Sequence, residues 1–340
     1  HFDYAGGHGS IEDMQGFGLA KFGELIDTRT GHVRAEDNLN SYPGATWGDN
    51  LVSFQGGHKR VGDSSYTYVQ ESNDIKNASS GVGGPNGPYD LGGIEQVIQR
   101  QNEFYHVRAD YDRRFTSSAV KHSREFVWFP GSNPNSDSDF LVVYDRTAAP
   151  SQPEWKYHVP WQPSVSGHSG TQNLNSGSGT SGRIGTAYTG SNIITKEDNS
   201  VGDTNDGPNG SSSFVGGQGA HGVAFAKTLL PSSASVEVTR VAQIDSSLLS
   251  RQQNLAIKET RWQVSVKPTT SATDHRFLHV FQTADKNLVS SMTPTNLITG
   301  SNIDGAFITR PSSSKPNYVA IFSKNEGVLP ASFSYGVTGT

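Results

Sequence analysis

Residues 101–160 read QNEFYHVRADYDRRFTSSAVKHSREFVWFPGSNPNSDSDFLVVYDRTAAPSQPEWKYHVP. Short aromatic and β-branched runs alternate here with Gly, Pro, Asn, Asp and Ser, the punctuation of successive antiparallel strands. Tyr105 to Tyr111 alternates strictly: Tyr105, Val107, Ala109 and Tyr111 fall on one face, and His106, Arg108 and Asp110 on the other. That is the pattern of a half-buried strand. Glu125–Phe129 and Phe140–Tyr144 are continuous apolar runs, which predicts strands covered on both faces. Pro130–Asp139 between them reads as a polar hairpin tip, and Trp155–Val159 makes a fourth strand. Phe126, Trp128, Val142 and Val143 are expected in the core.

Composition extends this reading to the whole chain. Of 340 residues, 33% are apolar and 10% aromatic, against 38 Gly and 16 Pro. This balance favours many short strands and long loops over helices. The expected class is all-β: a large antiparallel β-sandwich with long Gly/Ser/Asn-rich loops and few or no helices. Ser246–Thr260 (SSLLSRQQNLAIKET) is the best candidate for amphipathic helical periodicity. A formal net charge of −5 without a concentrated basic stripe argues against nucleic acid as a partner. With no cysteine there is neither a disulfide framework nor a thiolate metal site. No apolar run approaches membrane-spanning length, and the first residues do not read as a signal peptide.

The order RADYDRRF, REFVWF, FLVVYDR, WKYHVPWQP resembles the β-sandwich half of heparinase II/III-type polysaccharide lyases. A second stretch is similar to the same family: HFDYAGGHGSI, then GFGLAKFGELIDTRTG, then NSYPGATWGDNLVSF. The matching positions are His1, Asp3, Ala5, Gly6, Gly18, Leu19, Ala20, Asp27, Thr46, Asn50, Leu51 and Val52. The likeness returns in HGVAFAKTLLPSSASVEVTRV, RWQVSVKP and HRFLHVFQTADK, where Val264, Val266, Phe277, Leu278 and Val280 are expected in the core and His279 is expected to be buried or groove-facing. The last 36 residues supply two or three further strands.

The resemblance implies a divalent metal, zinc in this family, whose ligand positions fall here on His1, Asp27 and Asp49. Asp49 stands where the family has histidine. One imidazole and two carboxylates form a harder ligand set, which leaves calcium, manganese or no metal open beside zinc. The plain alternative is a hydrogen-bonded turn. His8 is a spare ligand, and an N-terminal His1 could also chelate copper through its amine and ring. Oxygen-rich runs at Asp198–Asn209 and at Asn135, Asp137 and Asp139 lack the full spacing of a calcium loop and read as polar turns.

The resemblance also implies β-elimination from a uronate-containing, acidic polysaccharide, in the extracellular space or periplasm. That chemistry needs a base near the C5 proton, a donor for the leaving oxygen and neutralisation of the carboxylate. In such lyases most of these groups come from an α/α-toroid that precedes the sandwich, so weak or absent activity is expected of these 340 residues by themselves. Tyr4, His8, Tyr42, His158 and Arg29 are the candidate cleft groups, and nothing in their spacing shows that they converge. The start at His1 and the early end at Thr340 read as a processed product or a segment of something longer.

Residues 1–160 are expected to carry the first strands and the metal site, and 221–340 the remaining strands. Residues 161–220, rich in Ser, Gly and Asn, read as a long hairpin excursion built on Arg183–Thr189 and Ser191–Thr195. Gln55–Gly93 reads as loop apart from SYTYVQ at 65–70, whose Tyr66 and Tyr68 have the chemistry to stack on sugars. Two non-catalytic alternatives stand beside the lyase: an extracellular structural or assembly protein, self-associating through uncovered strand edges, and a carbohydrate-binding module.

Overall fold

A computed structural model describes residues 17–22, 24–26, 52–53, 93–100, 103–112, 120–133, 135–150, 152–159, 163–166, 171–173, 185–189, 192–196, 221–240, 262–310, 316–325 and 336–338. Along these residues the chain forms β1 (Leu19–Ala20), β2 (Glu24–Ile26), β3 (Val52–Ser53), β4 (Gly93–Arg100), β5 (Phe104–Asp110), β6 (Lys121–Phe129), β7 (Asp139–Ala148), β8 (Glu154–Val159), β9 (Ser164–Ser166) and β10 (Thr171–Asn173). It continues with β11 (Gly185–Thr189), β12 (Asn192–Lys196), β13 (Gly222–Leu230), β14 (Ala234–Arg240), β15 (Trp262–Pro268), β16 (Asp274–Asp285), β17 (Thr295–Thr299), β18 (Ile303–Ile308), β19 (Tyr318–Ser323) and β20 (Gly336–Thr338). No α-helix occurs among the described residues. The all-β reading is correct. Ser246–Thr260 and SYTYVQ at 65–70 lie outside the described residues.

The strands form an eight-stranded sheet (β4-β5-β6-β7-β16-β13-β12-β9), a six-stranded sheet (β10-β11-β14-β15-β8-β3), a four-stranded sheet (β19-β18-β17-β20) and the small β1-β2 ribbon. All pairings are antiparallel. At the centre of the large sheet β7 runs against β16 from Ala148↔Asp274 to Asp139↔Thr283.

Alternation along β7 explains how the layers stack. Leu141 and Val143 join Phe126, Phe277 and Phe281 in a core closed by Trp155, Tyr157, Val159, Val236, Val238, Val264 and Val266 of the six-stranded sheet. Phe140, Val142 and Tyr144 point the other way, into a second core with Ala306, Ile308, Ala320 and Phe322 of the four-stranded sheet. The eight-stranded sheet is therefore the middle of three layers, which is why FLVVY is apolar at every position. Burying each large apolar side chain contributes about 1.5–3 kcal/mol. The expected core positions Val264, Val266, Phe277, Leu278 and Val280 are all buried.

Three local features depart from the sequence reading. β4 was not anticipated. β11 and β12 do not form a hairpin with each other: β11 pairs with β14 in the six-stranded sheet, and β12 with β13 and β9 in the middle sheet. Trp128 shares its face with Phe126 yet remains 40% exposed, while Phe126, Val142 and Val143 are buried.

Candidate functional site

Polar and aromatic residues of four strands meet at one point. β6 brings His122 and Arg124, β7 brings Asp145 and β8 brings Trp155, all inside the first core. Asp145 Oδ1 accepts from His122 Nε2 at 2.7 Å and Arg124 Nε at 2.6 Å; Oδ2 accepts from Trp155 Nε1 at 2.8 Å and Arg124 Nη2 at 3.2 Å. Burial alone would raise the Asp145 carboxyl, but the Arg124 charge and the His122 hydrogen bond outweigh it and hold it well below the usual carboxylate range. His279 of β16 stacks on Trp155, ring centroids 3.8 Å apart, with Nδ1 3.1 Å from Thr228 Oγ1. Burial pushes this imidazole down to about 3, so it is neutral at physiological pH. Every group in the cluster is shut off from solvent, which gives it a role in joining strands rather than in turning over substrate.

On the opposite face a second polar network joins the middle and four-stranded sheets. Tyr144 donates to Asp304 Oδ2 at 2.9 Å, and Arg276 Nε lies at the same distance from that oxygen. Arg146 donates to Glu125 Oε1 at 2.6 Å and to the Ser323 carbonyl at 2.7 Å; His106 Nε2 lies 2.8 Å from Glu125 Oε2. Burial and the neighbouring Asp304 raise the Tyr144 hydroxyl, which keeps it a proton donor. Burial would raise Glu125, but the hydrogen bond from His106 and the charge of Arg146 leave it lowered.

Two accessible features have the chemistry to bind a ligand. Tyr105 and Trp128, paired across β5 and β6, stack with centroids 5.2 Å apart and an interplanar angle of 29°. Beside them β4 forms an open edge whose residues Glu95–Arg100 are exposed, Val97 by 61% and Ile98 by 40%. Trp128 is 40% exposed and Tyr105 half-buried, which leaves the indole as the accessible part of an aromatic pair with the chemistry to stack on sugars. The other feature is a cleft of about 360 Å³ between the β6–β7 hairpin tip and the β16–β17 connection, lined by Ser136, Asp137, Phe140, Gln282, Met292 and Arg310 among others.

Of the sequence-predicted site residues, Tyr4, His8, Arg29 and Tyr42 lie outside the described residues, as do the expected metal ligands His1, Asp27 and Asp49. His158 is fully buried on β8, on the face of the six-stranded sheet turned away from the first core. Among the described residues, no three metal-ligating side chains come together. At the hairpin tip Lys21 Nζ fills the place of a cation, bonded to Asp139 Oδ2 at 2.9 Å and to the Asp137 carbonyl at 2.6 Å. The exposed Tyr105–Trp128 pair and the Arg310 cleft were missed in the sequence. Strand parity reports which face a residue occupies, and it does not report where the covering sheet ends.

No family model matches the sequence, and no curated protein matches it. Among solved structures, the chain is similar to a heparinase III gene product with methylated lysines: TM-score 0.47, 10% identity, 88% of this chain and 34% of that chain covered. It is also similar to a mutant of the heparan sulfate lyase HepC from Pedobacter heparinus: TM-score 0.45, 9% identity, 90% of this chain and 35% of that chain covered. The chain spans about a third of the length of these structures. Among the described residues no helix is long and apolar enough to cross a membrane.

Proposed function

We propose that this chain is the β-sandwich part of a polysaccharide lyase acting on acidic, uronate-containing polysaccharide by β-elimination, and that it binds and closes over glycan while a helical toroid supplies the base. The observation that carries this reading is the Asp145 cluster. Arg124, Asp145, Trp155 and His279 come from separate phrases of the lyase-like sequence, REFVWF, VVYDR, EWKYHVP and FLHV, and they form one buried unit linking both sheets of the first core. Within this reading the sandwich contributes shape and contact. The described tyrosines and histidine with strongly shifted titration, Tyr144, Tyr157 and His279, are buried and hold their neutral forms.

The exposed Tyr105–Trp128 stack favours a second reading, a carbohydrate-binding module without catalysis. Both are tested by titrating the 340-residue chain with heparan sulfate and other uronate polysaccharides while following the absorbance of unsaturated uronate. The lyase-part reading expects binding by this chain without turnover, and turnover by a longer natural polypeptide that includes a toroid. Binding by both without turnover by either would favour the module. Failure of the chain to bind any acidic polysaccharide would overturn both.

A further inference from the structure

β4 ends the eight-stranded sheet, and among the described residues no strand pairs with its outer side. The other edge strands are short or shielded: β1, β2, β3, β9, β10 and β20 have two or three residues each, and the side chains of β19 are mostly buried or half-buried. β4 has eight residues, and 95–100 are all exposed, the apolar Val97 and Ile98 included. Alternate residues of an antiparallel edge strand turn their N–H and C=O groups outward, so this edge presents main-chain donors and acceptors along its length. Edges that must stay alone are blunted by lysine, by proline or by a bulge that twists them away. GIEQVIQR has neither lysine nor proline, and its bulge sits at one end, between Ile94 and Gln96.

The strand is also complementary to itself. Register places Gln96 opposite Arg108, Ile98 opposite His106 and Arg100 opposite Phe104, so these three β4 residues share one face. Glu95, the bulge residue, reaches Arg108 Nε at 3.2 Å and therefore lies on that face too. From one end to the other the face carries an acid, an amide, an isoleucine and a base. A parallel copy would set Glu95 against Glu95 and Arg100 against Arg100. An antiparallel copy sets the acidic end of each strand beside the basic end of the other. Cross-strand partners share a face, so a two-fold axis must fall between two copies of one residue. Centred on Val97, it would set Glu95 against Gln99 of the opposite face. Centred on Ile98, it sets Ile98 against Ile98, Arg100 opposite Gln96 and beside Glu95, and Val97 opposite Gln99. Each charge has a present partner, Glu95 on Arg108 and Arg100 on Glu103 at 3.5 Å, but both pairs reach solvent and contribute little.

We propose that two copies of this chain join edge to edge along β4, antiparallel and two-fold symmetric about Ile98, so that their eight-stranded sheets become one. The contact is isologous: it closes at two copies and leaves no further β4 edge. Gln99 pairs with Tyr105 and Tyr105 with Trp128, so the aromatic pairs of both copies fall on the same face of the joined sheet. The inference rests on the β4 edge alone and holds whether or not the chain is part of a lyase.

Sedimentation equilibrium of the full 340-residue chain over a range of concentrations tests it. A species of twice the chain's mass is expected, with amide exchange in β4 slowing as it forms. Ile98→Lys, at an exposed position, should keep the fold and dissociate the dimer by bringing two ammonium groups together at the axis. Arg100→Glu and Glu95→Arg should each weaken self-association by roughly tenfold or more, since like charges then meet at both ends of the contact. An equimolar mixture of these two variants should dimerise again, because one strand is then acidic at both ends and the other basic. Recovery on mixing is a result that a folding defect in either variant cannot produce. A monomer at every concentration up to the solubility limit, a dimer that survives Ile98→Lys, a dimer whose β4 amides exchange as in the monomer, or assembly continuing past two copies would overturn the proposal. So would two folded charge variants that stay monomeric when mixed.

Discussion

Asp145 accepts hydrogen bonds from three side chains on two oxygens, in a place with no solvent to substitute for any of them. Asp145→Asn would remove the carboxylate paired with the buried Arg124 guanidinium, and a loss of about 3–5 kcal/mol is expected in urea unfolding. Titration makes the same cluster acid-sensitive. The folded His279 value of about 3 lies below the ordinary value of ~6.5, so between these values the unfolded chain holds the extra proton. Stability is therefore complete above about pH 6.5 and falls as pH drops toward 3. Asp145 and Glu125, both lowered, add their losses only below their unfolded values near pH 4. His279→Gln should flatten the decline in urea midpoint between pH 6.5 and 5; an unchanged slope would remove His279 from this account. The sequence reading began β6 at Glu125 and left His279 buried or groove-facing. It could not show that Arg124 closes on Asp145 or that His279 stacks on Trp155 beside them, because that arrangement needs the register of several strands at once.

Strands were legible where their pattern was undisturbed. β5, β6, β7 and β8 appear within a few residues of their expected bounds. β4 was hidden by a register shift between Ile94 and Gln96, which places Val97 and Ile98 out of step with Ile94 and spoils a period of two. β11 and β12 resemble a hairpin because only two residues separate them; β14 and β13 claim them instead for different sheets. Between β18 and β19 the limit is steric. A Cβ on Gly305 would lie 2.3 Å from the Ala320 carbonyl oxygen, backbone that cannot swing aside. Gly305→Ala is expected to destabilise by about 1–3 kcal/mol, read by urea unfolding, and to loosen the four-stranded sheet first, read as faster amide exchange in β18 and β19.

The three-layer arrangement gives the whole molecule its dependence on the middle sheet, which serves both cores. Its net charge of −5 bears on the glycan reading as well. An acidic polysaccharide must be held by local cations against the molecule's overall repulsion, so heparan sulfate binding should weaken as salt is raised. Salt-independent binding would point to stacking on Tyr105 and Trp128 as the main contact. The resemblance anticipated a sandwich but not its third layer, because the fully apolar FLVVY run says that both faces are covered without saying by what.

The partnership of β7 with β16 also sets a schedule for synthesis. Thr147 and its partner His275 are 128 residues apart, so β6 and β7 leave the ribosome long before β16 exists. At cellular elongation rates that interval is roughly ten seconds. During it FLVVY is an apolar, unpaired edge, the kind of segment that recruits neighbouring nascent chains. Chains stalled near residue 220 are expected to be protease-sensitive and to bind chaperones, whereas chains in which β16 has emerged should resist digestion through β6 and β7. Equal protection at both lengths would mean that β6 and β7 fold without β16. On this timetable the strand that anchors both cores is the one that waits longest for its neighbour, and expression yield should depend on translation speed between codons 148 and 285.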